Sequence, residues 1–255
     1  MRSTTAGTAP LAILALALAL TGCAGGAEPE GDPEGSATAP STEQAEAPAL
    51  STPDSCAPLG LDPESPVSGA ALGACYAEAL VVLSTGAERV EALDRVTTGV
   101  FDFSNGFEFA GDVTDSDGTR QYVMADDVLY ANDGSGWVRG DEDSEDGEEA
   151  FIGSLGSALV SAADPRVIAA SLQLCPEWRR ESALTPVSLE NGTAVDAVTY
   201  SCTAPYTFLG STIDSAELWF EEDWTPVGHR TTGGGSTATS HLSDMGEPVS
   251  IVAPI

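Results

Sequence analysis

Lysine is absent from this chain of 255 residues. Its nine cations are all arginines, set against 40 carboxylates and a net charge of −31. A surface this acidic repels phosphate backbones, which argues against nucleic acid as a partner. It also repels anionic headgroups, so adhesion to a membrane cannot come from a basic patch. Histidine is nearly absent as well. His229 lies in a strand pattern and His241 near another, so each reads as a packing or surface residue and not as a base. There is no C-x-x-C, which argues against a zinc site or a dithiol redox centre. Neither G-x-S-x-G nor H-E-x-x-H occurs, and no glycine loop follows a strand to cradle phosphate. Carboxylates abound, but nothing singles out a catalytic pair. The expectation is a protein that is not an enzyme and uses no cofactor and no metal.

The N-terminus is informative. One basic residue, Arg2, precedes an apolar run over residues 11–20, too short to span a bilayer comfortably and of signal-peptide proportions. The run closes on Leu20-Thr21-Gly22-Cys23. This resembles the lipobox of bacterial lipoproteins, in which the cysteine receives a diacylglyceryl group and becomes the first residue of the mature protein. The resemblance implies a signal peptide over 1–22, lipidation with palmitate-type chains at Cys23, and an acyl-chain anchor on the extracytoplasmic face of the cell membrane. Residues 24–54 are rich in Ala, Pro, Gly, Glu, Ser and Thr and have almost no large apolar side chain. Such a segment cannot bury enough surface to offset its ordering entropy, so 23–54 reads as an acidic, disordered tether and 55–255 as a single domain.

Of five cysteines, Cys23 is set aside, and four remain in an exported chain. Two disulfides are the default. Three pairings are open; proximity favours Cys56–Cys75 and Cys175–Cys202.

Along the domain, Leu72, Cys75, Ala79, Val82 and Leu83 share one helical face, with Gly86 placed to close the helix. Residues 88–95 read as a second short helix. From residue 97 the period is two. Phe101 and Phe103 precede Ser104-Asn105-Gly106, and Phe107 and Phe109 follow it. A three-residue loop pairs Phe101 with Phe109 and sets all four rings on one face, with Gly106 in the left-handed position. Strands over 119–125, 128–131 and 136–139 complete an antiparallel meander. The acidic run 141–149 reads as a solvated loop, since its glycine falls one place late for an EF-hand. A helix follows with Phe151, Ile152, Leu155, Leu159 and Ala162 on one face. Asp164-Pro165 starts another, with Ile168 and Leu172 as its apolar side. The last third returns to strands over 195–202, 213–221, 228–232, 236–242 and 249–253. Val198, Tyr200 and Cys202 share a face, as do Ala216, Leu218 and Phe220, opposite Glu217, Trp219 and Glu221.

Three stretches, YANDGSGWVR (130–139), AELWFEEDWTPVGHR (216–230) and DMGEPVSIVAP (244–254), together with this order of elements, resemble the LppX/LprG group of actinobacterial lipoproteins, related in fold to LolA and LolB. The four further cysteines and the acidic surface depart from that pattern. The resemblance implies an α+β fold, a curved antiparallel half-barrel wrapped around helices, and carriage of lipid or glycolipid in an apolar cavity between them. Phe101, Phe103, Phe107, Phe109, Tyr122, Leu155, Leu159, Ile168, Tyr200, Leu218 and Phe220 are the side chains expected to face that space. The same stripes serve equally as plain core. The alternative is a sensor or protein-interaction module of the same fold, its interior filled, meeting an envelope protein through its acidic convex face and the 141–149 loop.

Overall fold

The computed structural model describes residues 53–59, 65–189, 191–208 and 210–255. Cys23, the segment before it and nearly all of the expected tether lie outside the described residues.

A turn of 3-10 helix (Asp54–Leu59) and β1 (Pro66–Val67) lead to α1 (Gly69–Leu83), whose first turn is capped by Ser68 accepting from the Ala70 N–H at 3.2 Å. A meander follows: β2 (Thr85–Ala92), β3 (Arg95–Asp102), β4 (Glu108–Asp115), β5 (Gly118–Ala125), β6 (Val128–Asn132) and β7 (Trp137–Arg139). Two helices come next, α2 (Gly147–Ala163) and α3 (Pro165–Gln173). The chain then forms β8 (Trp178–Arg180), β9 (Thr185–Ser188), β10 (Ala194–Cys202), β11 (Tyr206–Phe208), β12 (Ser211–Ile213), β13 (Ser215–Phe220), β14 (Pro226–Gly233) and β15 (Ser236–Ser243).

The main sheet is antiparallel and unclosed, ordered β1-β8-β10-β13-β14-β15-β2-β3-β4-β5-β6-β7, with β9 added to β10. β15 joins its two halves by pairing with β2, so the closing strands complete a sheet begun over a hundred residues earlier. The expected α+β architecture, one large curved sheet around a few helices, is the one observed.

The hairpin register is the one with paired phenylalanines: Phe101 faces Phe109 and Asp102 faces Glu108. Gly106 sits at φ 125°, a value that side chains with a Cβ rarely adopt. Phe101 and Phe103 lie 5.3 Å apart, Phe103 and Phe107 5.5 Å, as centroids. Phe101, Phe109, Met124 and Leu129 then form one transverse row on the inner face, all essentially buried. In the other half of the sheet Tyr200, Leu218 and Phe220 occupy the same face, with Tyr76 of α1 edge-on to Phe220 at 5.8 Å.

Both favoured disulfides are present. Cys56–Cys75 ties the first turn to α1, with Cα atoms 4.5 Å apart. Cys175–Cys202 ties the segment just past α3 to β10, with Cα atoms 6.4 Å apart. The end of α3 is fixed a second time, by the buried Trp178 indole N–H donating to the Leu172 carbonyl at 2.9 Å.

Three expectations fail. Residues 88–95 are not a helix: they run through β2 into the turn and the first residue of β3, because pairing with β15 and β3 outweighs the helical preference of Glu, Arg and Ala. Ser84, at φ 55°, ends α1 in place of Gly86. Gly86 instead lies inside β2, where a Cβ would stand 2.6 Å from the Met245 sulfur and 2.8 Å from the Phe101 ring. Residues 249–253 form no strand; Pro248 and Pro254 flank a segment that makes no ladder.

Candidate functional site

The inner face of the meander changes character row by row. Next to the phenylalanine row, register aligns Glu88, Gly99, Gly111, Tyr122, Ala131 and Val138 across β2 to β7. The glycines receive the Phe109 ring, which would lie 2.6 Å from a Cβ at either one. Beyond them Ala131 and Val138 are small for an inner position, and a space is left. Asp115 lies beyond that row and accepts ion pairs from Arg95 at 3.3 Å and Arg120 at 3.6 Å. The face therefore grades from aromatic to small to charged.

α2 roofs this space. Asp146 caps it, accepting from the backbone N–H groups of Glu148 and Glu149 at 2.9 and 3.3 Å. The helix meets the sheet at Gly156, where a Cβ would stand 2.9 Å from the Leu129 Cβ. That contact lets α2 lie close to the meander at its middle. Its first half overhangs Ala131 and Val138. The result is a half-open cleft of about 200 Å³. Tyr122, Ala131, Val138, Phe151, Ile152 and Leu155 give it apolar walls, and Arg120, Asn132, Asp133 and Glu148 give it a polar margin. Phe151 is 53 % exposed, an unusual position for a ring at the edge of an apolar cleft.

Electrostatics follow from burial and local hydrogen bonding. Burial raises the Tyr122 phenol. The Asp117 backbone N–H first, then Arg120 and Arg95, hold Asp115 below the usual carboxylate range. The Ser135 hydroxyl and N–H do the same for Asp133. Asp133, at the cleft margin, is thereby held in its charged form at neutral pH.

Of the expected cavity side chains, Tyr122 and Leu155 line this cleft. Phe101, Phe107, Phe109, Leu159, Tyr200, Leu218 and Phe220 are buried in one continuous core, with Phe103 and Ile168 packed partly buried against it. Ala131, Val138, Phe151 and Arg120 were missed. The period-two pattern marks Ala131 as inner, but only the placement of α2 shows that its small size leaves room. His229 is buried on the inner face between Leu218 and Ser240. His241 stacks on Trp219 at 5.8 Å on the outer face, where Trp219, Val187, Ala197 and Val227 form a separate small core. Among the described residues no group of His, Cys, Asp and Glu is placed to hold a metal ion, and no helix is long and apolar enough to cross a membrane.

An unclosed antiparallel sheet wrapped around helices, with a cleft between helix and meander, defines an open half-barrel. No family model and no curated protein sequence matches the chain. Among solved structures it is similar to LprF from Mycobacterium bovis, at 14 % identity and a TM-score of 0.50, over 73 % of this chain and 96 % of that one. It is also similar to the lipoprotein LppX from Mycobacterium tuberculosis, at 13 % identity and a TM-score of 0.49, over 71 % and 97 %. The likeness to LprF is one of fold, and it agrees with the half-barrel that the sequence resemblance implies.

Proposed function

We propose that this chain is an extracytoplasmic lipoprotein that holds the apolar part of a lipid or glycolipid in the cleft between α2 and β5–β7, by burial and without covalent chemistry. The observation that carries this reading is the cleft itself: mainly apolar walls from Tyr122, Ala131, Val138, Ile152 and Leu155 with an exposed aromatic, Phe151, and polar lining from Arg120, Asn132, Asp133 and Glu148. Its volume of about 200 Å³ lies below the roughly 300–1,000 Å³ usual for small-molecule sites. One alkyl segment fits, and the rest of the cargo stays outside or enters as α2 shifts. Arg120, Asn132, Asp133 and Glu148 suit the hydroxyls of a sugar headgroup, donating and accepting as the hydroxyls require.

Filling the cleft tests this. Ala131→Phe places a ring in the space without touching the Phe101–Leu129 row. Titration with a fluorescent alkyl-chain lipid is expected to show at least tenfold weaker binding than wild type, at unchanged thermal midpoint. Equal binding by both proteins removes the cleft as the lipid site.

A second reading rests on a different observation. Most of the expected cavity side chains are packed against one another, which favours a filled interior and a protein partner on the acidic outer surface. In that case neither protein binds the lipid probe.

The anchor belongs to the same proposal. Cys23→Ala is expected to abolish incorporation of a palmitate analogue and either release the chain to the medium or leave it as unprocessed precursor. Label retained by the variant excludes Cys23 as the acylated residue.

A further inference from the structure

Apart from Glu78, α1 carries no charged side chain, and one side of it is exposed. Leu72, Tyr76, Leu80 and Leu83 are buried against the domain. The opposite side exposes Ala70, Ala74, Val81 and Val82, with Val81 at 55 % and Val82 at 47 %. A helix of this composition belongs in a protein core or against lipid, not in water. Its one charged residue, Glu78, is held by the Ser55 backbone N–H and hydroxyl. The neighbouring α3 carries only Arg166, paired with Asp164 at 3.3 Å. On a chain of net charge −31 this is a face with little charge of either sign. The rest of an acidic domain is repelled by anionic membrane, whereas this side is not.

The position of the face relative to the tether says what covers it. The described chain begins at Pro53 and runs directly into the turn that Cys56–Cys75 bonds to α1. An N-terminal anchor would therefore enter the domain beside α1. We propose that the exposed side of α1, centred on Val81 and Val82, rests on the neutral lipid surface to which the anchor attaches the chain. This rests on the lipoprotein reading above. Two valines and a few alanines bury too little area to hold a protein on a bilayer alone. Attachment through the anchor raises the effective concentration of the surface, which favours a weak contact.

The test uses the full mature chain, purified with its acyl groups and reconstituted into phosphatidylcholine vesicles with bromine-labelled chains. Val82→Trp places an indole on the face; Gln121→Trp places one on the outer face of β5 as a control. Flotation reports the anchor and indole quenching reports the face. The expected result is flotation of both proteins, with quenching at least twofold stronger for Val82→Trp. Flotation with equal quenching overturns the docking face and leaves the anchor standing. An unquenched Val82→Trp protein that sediments as a dimer assigns the face to a second copy of the chain. Absence of flotation for either protein overturns the anchor and the docking together.

Discussion

Replacing both Cys175 and Cys202 with alanine is expected to cost about 2–5 kcal/mol of folding stability. That is a large share of the roughly 5–15 kcal/mol that holds an ordinary domain together. The bond closes a loop between residues 27 apart and joins the end of α3 to the inner face of β10, where Tyr200 and Val198 meet the core. Without it, α3 keeps the Trp178–Leu172 hydrogen bond and its packing on α1 and α2. Denaturant titration under non-oxidising, non-reducing conditions checks this. A midpoint equal to that of wild type would show that the staple is redundant with packing. Removing Cys56–Cys75 is expected to loosen chiefly the turn before α1, since that bond joins a peripheral segment to an otherwise well-packed helix.

The second large effect concerns pH. Glu88 projects from β2 onto the inner face beneath α1, in the row between Leu242 and Gly99. The Ser240 hydroxyl donates to its carboxylate at 2.8 Å. Burial pushes its pKa from an ordinary 4.5 up to about 7, with the Ser240 hydrogen bond working against that rise. Tyr76, across from it on α1, is pushed further up by burial and then by the Glu88 charge. A carboxyl raised on folding favours the native state while protonated. Its contribution is full below pH 4.5 and is lost as pH rises through about 7. The gap corresponds to about 3 kcal/mol. Glu88→Gln keeps an acceptor for Ser240 and removes the charge. Above pH 8 it is expected to be more stable than wild type by about 3 kcal/mol, and at pH 4 nearly equal to it. The lowered carboxylates Asp115 and Asp133 act in the other direction and at more acid pH, so the difference between the two proteins isolates Glu88. Parallel stability curves from pH 4 to 9 would contradict a Glu88 whose pKa is raised on folding.

Local signals were legible where local physics decides. The paired phenylalanines around Ser104-Asn105-Gly106 admit one register that keeps the rings together, and the sheet uses it. Asp164-Pro165 starts α3 because Asp accepts the Arg166 N–H at 2.8 Å while proline has no N–H to lose. Signals failed where distant pairing decides. Glu88 to Ala92 contains good helix formers, but β15 and β3 supply two ladders, one from far along the chain. The short strands β8, β9, β11 and β12 hold too few residues to show a period. Trp219 looked outward by alternation, and it does point outward, but β9 and His241 bury it there. The cleft was partly legible, through Tyr122 and Leu155. The rest depends on how closely α2 approaches the sheet. Gly156 sets that distance, and a glycine inside a helix gives no sign of what it lies against.

Native mass spectrometry of the protein isolated from its own host's envelope tests the central claim most directly. Comparison with the denaturing mass separates lipid held in the cleft from acyl groups bonded to Cys23, because only the former dissociates. The expected result is a non-covalent adduct of defined lipid or glycolipid mass on wild type and its loss from Ala131→Phe. An acylated wild-type protein that carries no adduct, isolated under conditions that preserve folded structure, would contradict lipid binding by this domain.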